Sequence, residues 1–334
     1  MGMLDPRLEL ADLHIHVGAA VAPHIMWSIA HEQGLKLPVT TFWEFRDLVT
    51  ARSDTVSSLS DYLAILHQWT EKIQSSPAAI ERSVYEIIGK EFRSSFVTLI
   101  ELRFNPMKRN LGGERDLDHI IHAALRGMDR ACLEYGVRAG LIFCLAREFP
   151  FSLNEILVRK AVKYRSRGVI GIDLAGPEAH TLELGGEVEG YRDLFARARA
   201  AGLGTTVHTG ETSYTSVAGV LAVLDKLAPT RIGHGIAAAS SPEAVRKLAE
   251  AGCVLEICPS SNLRTHAVAN LQELGTALRV FDDAGVRFTI NTDGPYLLNT
   301  HLRRELEMLI DARVLTESQI ERCVATAHSA TFLR

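Results

Sequence analysis

The sequence predicts a (β/α)8 barrel, and three observations carry that reading. Eight short apolar, β-branched runs are separated by longer stretches with helical spacing. The runs do not alternate strictly, as expected of strands covered on both faces. Titratable side chains gather at the C-terminal ends of several runs, where a barrel carries its active site.

In chain order, the expected strands are Leu8–His16, Phe96–Phe104, Val137–Leu145, Gly168–Leu174, Gly204–His208, Arg231–His234, Cys253–Cys258 and Arg287–Asp293. The connection after the first strand, 17–95, is far longer than the usual βα loop of about 2–6 residues. Within it, Tyr62, Ile65, Leu66 and Trp69 recur at helical spacing and are expected to face a core. We read 17–95 as a helical, lid-like insertion over the catalytic end of one domain spanning 1–334. Further on, Ser241 suits a helix N-cap, Pro242 the first helical position and Gly252 the stop before the next strand. Thr316-Glu-Ser-Gln319 has the pattern of a capping box opening the last helix. A doubly wound sheet is the competing architecture. It usually places a glycine-rich phosphate loop after strand one, where this chain has His14-Ile-His16.

Composition narrows the function classes. The chain is 47% hydrophobic and 23% charged, the balance of a soluble protein that buries a core without disulfides. Its net charge of −4 provides no basic footprint for nucleic acid or an anionic membrane. Cys132, Cys144, Cys253, Cys258 and Cys323 form no CxxC pair, which suits reduced thiols in a cytoplasmic protein. No basic stretch followed by an apolar one opens the chain, and no apolar run is of bilayer length. The expected partner is therefore a small molecule. No heptad pattern indicates an oligomeric state.

The strand ends carry the chemistry. Alternation along a strand puts His14 and His16 on the same side. His208 with Glu211, His234, and Asp293 end three further strands. Singly, each has a commonplace explanation: a core histidine, a turn aspartate. Together, four strands deliver ionisable groups to one end, which points to a metal with an acid/base group beside it. The donors of His14, His16, His208 and Asp293 suit one zinc ion with a position left for water, and iron, cobalt or manganese also accept such a set. Zinc lowers the pKa of bound water from about 15.7 toward about 7. Among the other histidines, His24 and His180 are candidates for the pocket wall. Trp27, Phe42, Trp43 and Phe45 are candidates either for stacking on a planar ring or for packing within the insertion.

The segments LHIHVGA (13–19), ELRFNP (101–106), GIDLAGPE (171–178), TVHTGE (206–211), RIGHGI (231–236), LEICPSSN (255–262) and INTDGP (290–295), in that order, resemble the adenosine/adenine deaminase family of the amidohydrolase superfamily over nearly the whole chain. The resemblance implies a zinc-dependent hydrolytic deaminase that releases ammonia from adenosine or a related amino-heterocycle. It implies His14, His16, His208 and Asp293 as zinc ligands. It makes Glu211 the acid that protonates the ring nitrogen beside the amine-bearing carbon, and His234 the group that steadies the attacking hydroxide. Asp293 would also take the water's proton, and Gly176 would offer a backbone donor to the ring. Strand four runs into Asp173-Leu-Ala-Gly176 without the lysine of binuclear relatives, which implies one metal. Two positions depart from the family pattern. Gly294 stands where a second aspartate usually contacts the imidazole side of the purine. Val17-Gly18-Ala19-Ala20 lacks the aspartate that usually holds the ribose. Gly18 and Gly294 are thus expected to face a substrate that differs from plain adenosine, such as a modified nucleoside or a free amino-heterocycle. The alternative is a mononuclear amidohydrolase that cleaves another C–N bond, such as a cyclic amide.

Overall fold

A computed structural model describes residues 4–52, 54–111, 116–180 and 182–334. Its eight strands are β1 (Leu10–His16), β2 (Val97–Phe104), β3 (Arg138–Ala146), β4 (Val169–Ala175), β5 (Gly204–Thr209), β6 (Arg231–His234), β7 (Val254–Ile257) and β8 (Phe288–Ile290). They lie side by side in sequence order, and each adjacent pair is parallel. With helices between them, this is the expected (β/α)8 barrel.

The closing seam is built differently from the other seven. β8 ends at Ile290 rather than at Asp293, because Asp293 turns the backbone to φ 60°. A single bridge, Ile15 to Asp293, joins the first strand to the last. Asn291 stitches the seam: its Oδ1 accepts the Leu13 N–H at 3.1 Å, and its Nδ2 donates to Thr289 Oγ1 at 2.9 Å. A side chain thus supplies bonds that a longer β8 would have drawn from backbone.

The caps behave as their residue types dictate. Ser241 accepts the Ala244 N–H at the start of the helix Pro242–Ala251, and Gly252 ends that helix at φ 62°. Thr316 and Gln319 form the reciprocal capping box.

The segment 17–95 divides into two parts. Its last helix, Pro77–Ser95, packs against the helix Leu117–Tyr135 and against β2, so it belongs to the ring around the barrel. The earlier part holds helices Pro23–Glu32, Phe42–Leu48 and Leu59–Ile65, then a wide π turn at Leu66–Thr70. Tyr62 and Leu66 form a small apolar cluster with Ala19, Leu297 and Leu298, separate from the main core. Among the described residues, no helix is long and apolar enough to cross a membrane.

Where barrels of this type are usually filled by aliphatic layers, this interior is largely polar. Asp12, Glu101, Arg103, Asp173, Thr206, Arg231 and Glu256 are all buried. At the N-terminal mouth, the Phe332 ring packs 3.6 Å from the Arg231 guanidinium. Gly171 and Gly204 leave room for that ring, since a Cβ would stand 2.9 Å and 2.1 Å from it.

Candidate active site

At the C-terminal mouth, β1 presents His14 and His16, and β5 presents His208 beside them. The Nε2 atoms of His14 and His16 are 3.2 Å apart, and those of His16 and His208 are 3.0 Å apart. Burial, then the charge of Arg103, holds the His14 imidazole well below its ordinary pKa. Burial, then His208, does the same for His16. Neutral imidazoles keep a lone pair to offer a cation.

The outer nitrogens face carboxylates. Glu256 Oε2 on β7 sits 2.7 Å from His14 Nδ1, and Asp173 Oδ1 on β4 sits 3.0 Å from His208 Nδ1. A proton on each Nδ1 leaves the Nε2 lone pairs aimed inward, which is how metal-ligating histidines are usually oriented. Arg103 on β2 braces both carboxylates, at 3.0 Å from Asp173 Oδ2 and 2.9 Å from Glu256 Oε2. Asp173 stays ionised: burial opposes this, but His208 and Arg103 outweigh it and hold the carboxyl far below its usual range. Gly233 on β6 must be small, because a Cβ would stand 3.1 Å from the His14 ring and 3.2 Å from the His208 ring.

Asp293 completes the group. Its Oδ1 lies 3.5 Å from His16 Nε2 and 3.8 Å from His14 Nε2. Its left-handed backbone is pinned on both sides of the seam, by its N–H donating to His14 O and by His16 N–H donating to its own carbonyl, each at 2.8 Å. Three imidazole nitrogens and a carboxylate converging without an internal cation fit a divalent metal of the zinc type. A second convergence, His14, His234 and Cys258, shares this floor. Burial and the Asp293 charge push the Cys258 thiol well up.

Glu211 and His234 stand over these donors. Glu211 is buried, and burial, then the charges of Glu178 and Asp293, pushes its carboxyl well above the usual range. Thr265 Oγ1 lies 3.2 Å from Glu211 Oε1 and 3.0 Å from Ser261 O, and a proton on Glu211 allows both contacts to be bonded. Glu178 is held in turn by the Thr212 N–H at 2.7 Å. His234 has φ 61°, and its Nδ1 receives the Asn262 amide at 3.1 Å. That bond puts the ring proton on Nε2, which lies 3.6 Å from Glu211 Oε2. Burial lowers the His234 pKa to about 3. The mouth therefore holds a carboxyl pushed toward its neutral form and an N–H donor side by side.

The cleft above is lined by His16, Tyr62, Gly176, Glu211, His234 and Asp293 among others. Gly176 has φ 104°, and a Cβ there would meet Glu148 Oε2 at 2.5 Å. Gly18 opens onto a neighbouring recess in which Arg109 and Glu71 pair at 2.8 Å. Gly294 lies directly beneath Tyr62.

Two open alternatives are decided here in favour of surface and packing roles. His24 and His180 are exposed and line neither cleft. Trp27, Phe42, Trp43 and Phe45 pack on one another, with Trp27 5.2 Å from Phe45 and 6.2 Å from Phe42, and none borders the clefts. The first of their helices is tied to the helix Pro77–Ser95 by Arg82, which donates to Ser28 Oγ at 3.0 Å and pairs with Glu32 at 2.7 Å. Conversely, the sequence reading passed over Glu256, Arg103, Glu178 and Asn262, and saw in Asp173 only a missing lysine. A charged residue inside an otherwise apolar strand was the available signal for three of them.

A barrel whose C-terminal mouth joins histidines and carboxylates in this way defines the class of metal-dependent hydrolases. A family model described as adenosine deaminase matches residues 9–334, and the chain belongs to that family. An adenosine deaminase from Vibrio vulnificus (strain YJ016) is 29% identical over 312 residues, covering 93% of this chain and 90% of the relative. Two solved structures share the fold. An adenine deaminase from Arthrobacter aurescens has TM-score 0.84 and 20% identity over 97% of this chain and 94% of its own. An amidohydrolase from Burkholderia ambifaria, solved with bound Zn, has TM-score 0.84 and 21% identity over 98% of this chain and 87% of its own.

Proposed function

We propose that this chain is a metal-dependent hydrolytic deaminase of adenine-like amino-heterocycles, with one zinc ion held by His14, His16, His208 and Asp293. The observation that carries the reading is the buried Glu211, whose carboxyl is pushed well above its usual range by burial, Glu178 and Asp293, beside three converging imidazole nitrogens. An aromatic ring must be made electron-poor before water adds to it, and a carboxyl that keeps its proton beside the metal donors can do this by protonating a ring nitrogen.

Zinc bound there supplies the Lewis acidity that brings a water's pKa toward neutrality. The chain's own groups do the rest. Glu211 donates its proton to the ring nitrogen next to the amine-bearing carbon. His234 Nε2–H holds the incoming oxygen, and Asp293 takes the proton that the water gives up. Oxygen bonds to the ring carbon, the C–N bond breaks, and the amine leaves as ammonia with the proton returned to it. The Gly176 backbone offers a donor to the ring, and Leu59, Tyr62, Leu63 and Leu66 of the insertion act as a lid over it. Gly18 and Gly294 face the parts of the substrate away from the reacting carbon. The free cysteines suit a reducing, cytoplasmic setting.

Ammonia release from zinc-loaded protein tests this against a panel of amino-purines, aminopterins and aminopyrimidines. At least one purine should turn over, and turnover should vanish in Glu211→Gln and His16→Ala. A panel that yields no ammonia, with zinc shown bound by elemental analysis, overturns the reading.

A further inference from the structure

We infer that the Tyr62 hydroxyl is a recognition group for the substrate ring, reading one heteroatom on the edge that faces Gly294. Three observations support this, and the inference rests on the deaminase reading above.

Tyr62 is 3% exposed and lines the cleft with Glu211, His234 and Asp293. Yet its hydroxyl has no hydrogen-bond partner among the described residues. A buried hydroxyl left unpaired costs about 1–3 kcal/mol, and phenylalanine would fill the same apolar cluster with Ala19, Leu66, Leu297 and Leu298 without that cost. The partner therefore comes from outside the chain.

The chain also makes room for the hydroxyl at one specific place. A Cβ on residue 294 would stand 2.2 Å from Tyr62 Oη and 2.7 Å from the Ala19 Cβ. Glycine at 294 lets the lid tyrosine reach the backbone immediately after Asp293. The space that a side chain on the barrel floor would fill is filled from above.

Finally, the phenol is neutral at neutral pH, since a tyrosine ordinarily titrates at about 10. A neutral phenol both donates and accepts. It can pair with a ring nitrogen that carries a proton or with one that does not, whereas a carboxylate there would accept only.

The test compares wild type with Tyr62→Phe on adenosine and adenine and on the 3-deaza and 7-deaza analogue of each. Wild type should discriminate against one deaza analogue by about ten-fold in kcat/KM, the worth of about 1.4 kcal/mol. Tyr62→Phe should lose that discrimination through KM, with kcat within about two-fold. Its melting temperature should be unchanged or higher, since an unpaired hydroxyl has gone. Gly294→Ala should reproduce the loss by displacing the phenol. If Tyr62→Phe keeps the wild-type ratio, the hydroxyl serves packing or water and the inference falls. If wild type turns over none of these compounds, the deaminase reading fails on its own. The hydroxyl is then judged by ligand-induced shifts in melting temperature across the same series with zinc-loaded protein. A deaza-dependent shift in wild type that Tyr62→Phe abolishes upholds it, and equal shifts in the two proteins overturn it.

Discussion

The two mouths of this barrel both bury charge, but they treat it in opposite ways. At the N-terminal mouth Arg231 lies between two carboxylates, bonded to Glu101 and at 2.7 Å from Glu256 Oε1, with the Phe332 ring beneath it. Opposite charges are paired there. At the C-terminal mouth, three imidazoles converge beside the carboxyl groups of Asp293 and Glu211, with Glu178 behind Glu211. Glu256 links the two layers, with Oε2 facing His14 and Oε1 facing Arg231, and Arg103 bridges it to Asp173, which faces His208. A self-satisfied polar layer stabilises the barrel and positions the ligands. At the other mouth the outer atoms are held by the protein, while the His14, His16 and His208 Nε2 atoms face one another and are left for a metal to complete.

Mutations at the two ends should therefore separate activity from stability. The largest effect is expected of Glu211→Gln, which should lower kcat by about 10²–10⁴-fold, the range of a general acid, with the melting temperature maintained. Activity within ten-fold of wild type would remove Glu211 from the chemistry. Arg231→Met should do the reverse. Leaving Glu101 buried without its cation, and Glu256 with Arg103 alone, should cost about 3–5 kcal/mol, read by urea unfolding, while kcat per folded molecule stays near wild type. If the variant is as stable as wild type, the N-terminal network is not what supports the barrel. Asp173→Asn, in the linking layer, should weaken zinc binding by about 10–100-fold, measured by competition with a chelator. Unchanged affinity would show that His208 needs no carboxylate behind it.

The smallest effect is one of pH. Glu211 titrates near 4.5 in the unfolded chain and well above that when folded. The native state then holds an extra proton over the interval between the two values. Stability is greatest below about 4.5 and declines as pH rises toward the folded pKa. Urea titrations of metal-free protein at about pH 5 and pH 8 should show a larger decline for wild type than for Glu211→Gln. Equal slopes would mean that Glu211 is ionised in the native protein. In the active protein the same proton makes turnover fall as pH rises through the folded pKa.

Much of the barrel was readable from local pattern. The eight runs and the caps at Ser241, Gly252 and Thr316 depend on residues a few positions apart, so a linear reading finds them. The gathering of His14, His16, His208 and Asp293 at one mouth was readable too, because strand ends in a barrel share a side. The length of β8 was not, since Asn291 and Asp293 trade ladder bonds for contacts to the far end of the chain. Nor was the role of Tyr62, which its spacing placed in a core. It does lie in one, but its hydroxyl emerges at the cleft.

By itself, then, the sequence determined the alternation of strands and helices, the face on which His14 and His16 lie, and the residue types at each strand end, because backbone period and capping chemistry act over a few residues. Only the tertiary structure decided which nitrogen of each imidazole faces a carboxylate, why Gly233, Gly171 and Gly204 are glycines, and that Tyr62 reaches over Gly294. Those outcomes depend on partners brought together by closure of the barrel, and no local pattern encodes a contact whose other half lies on a different strand.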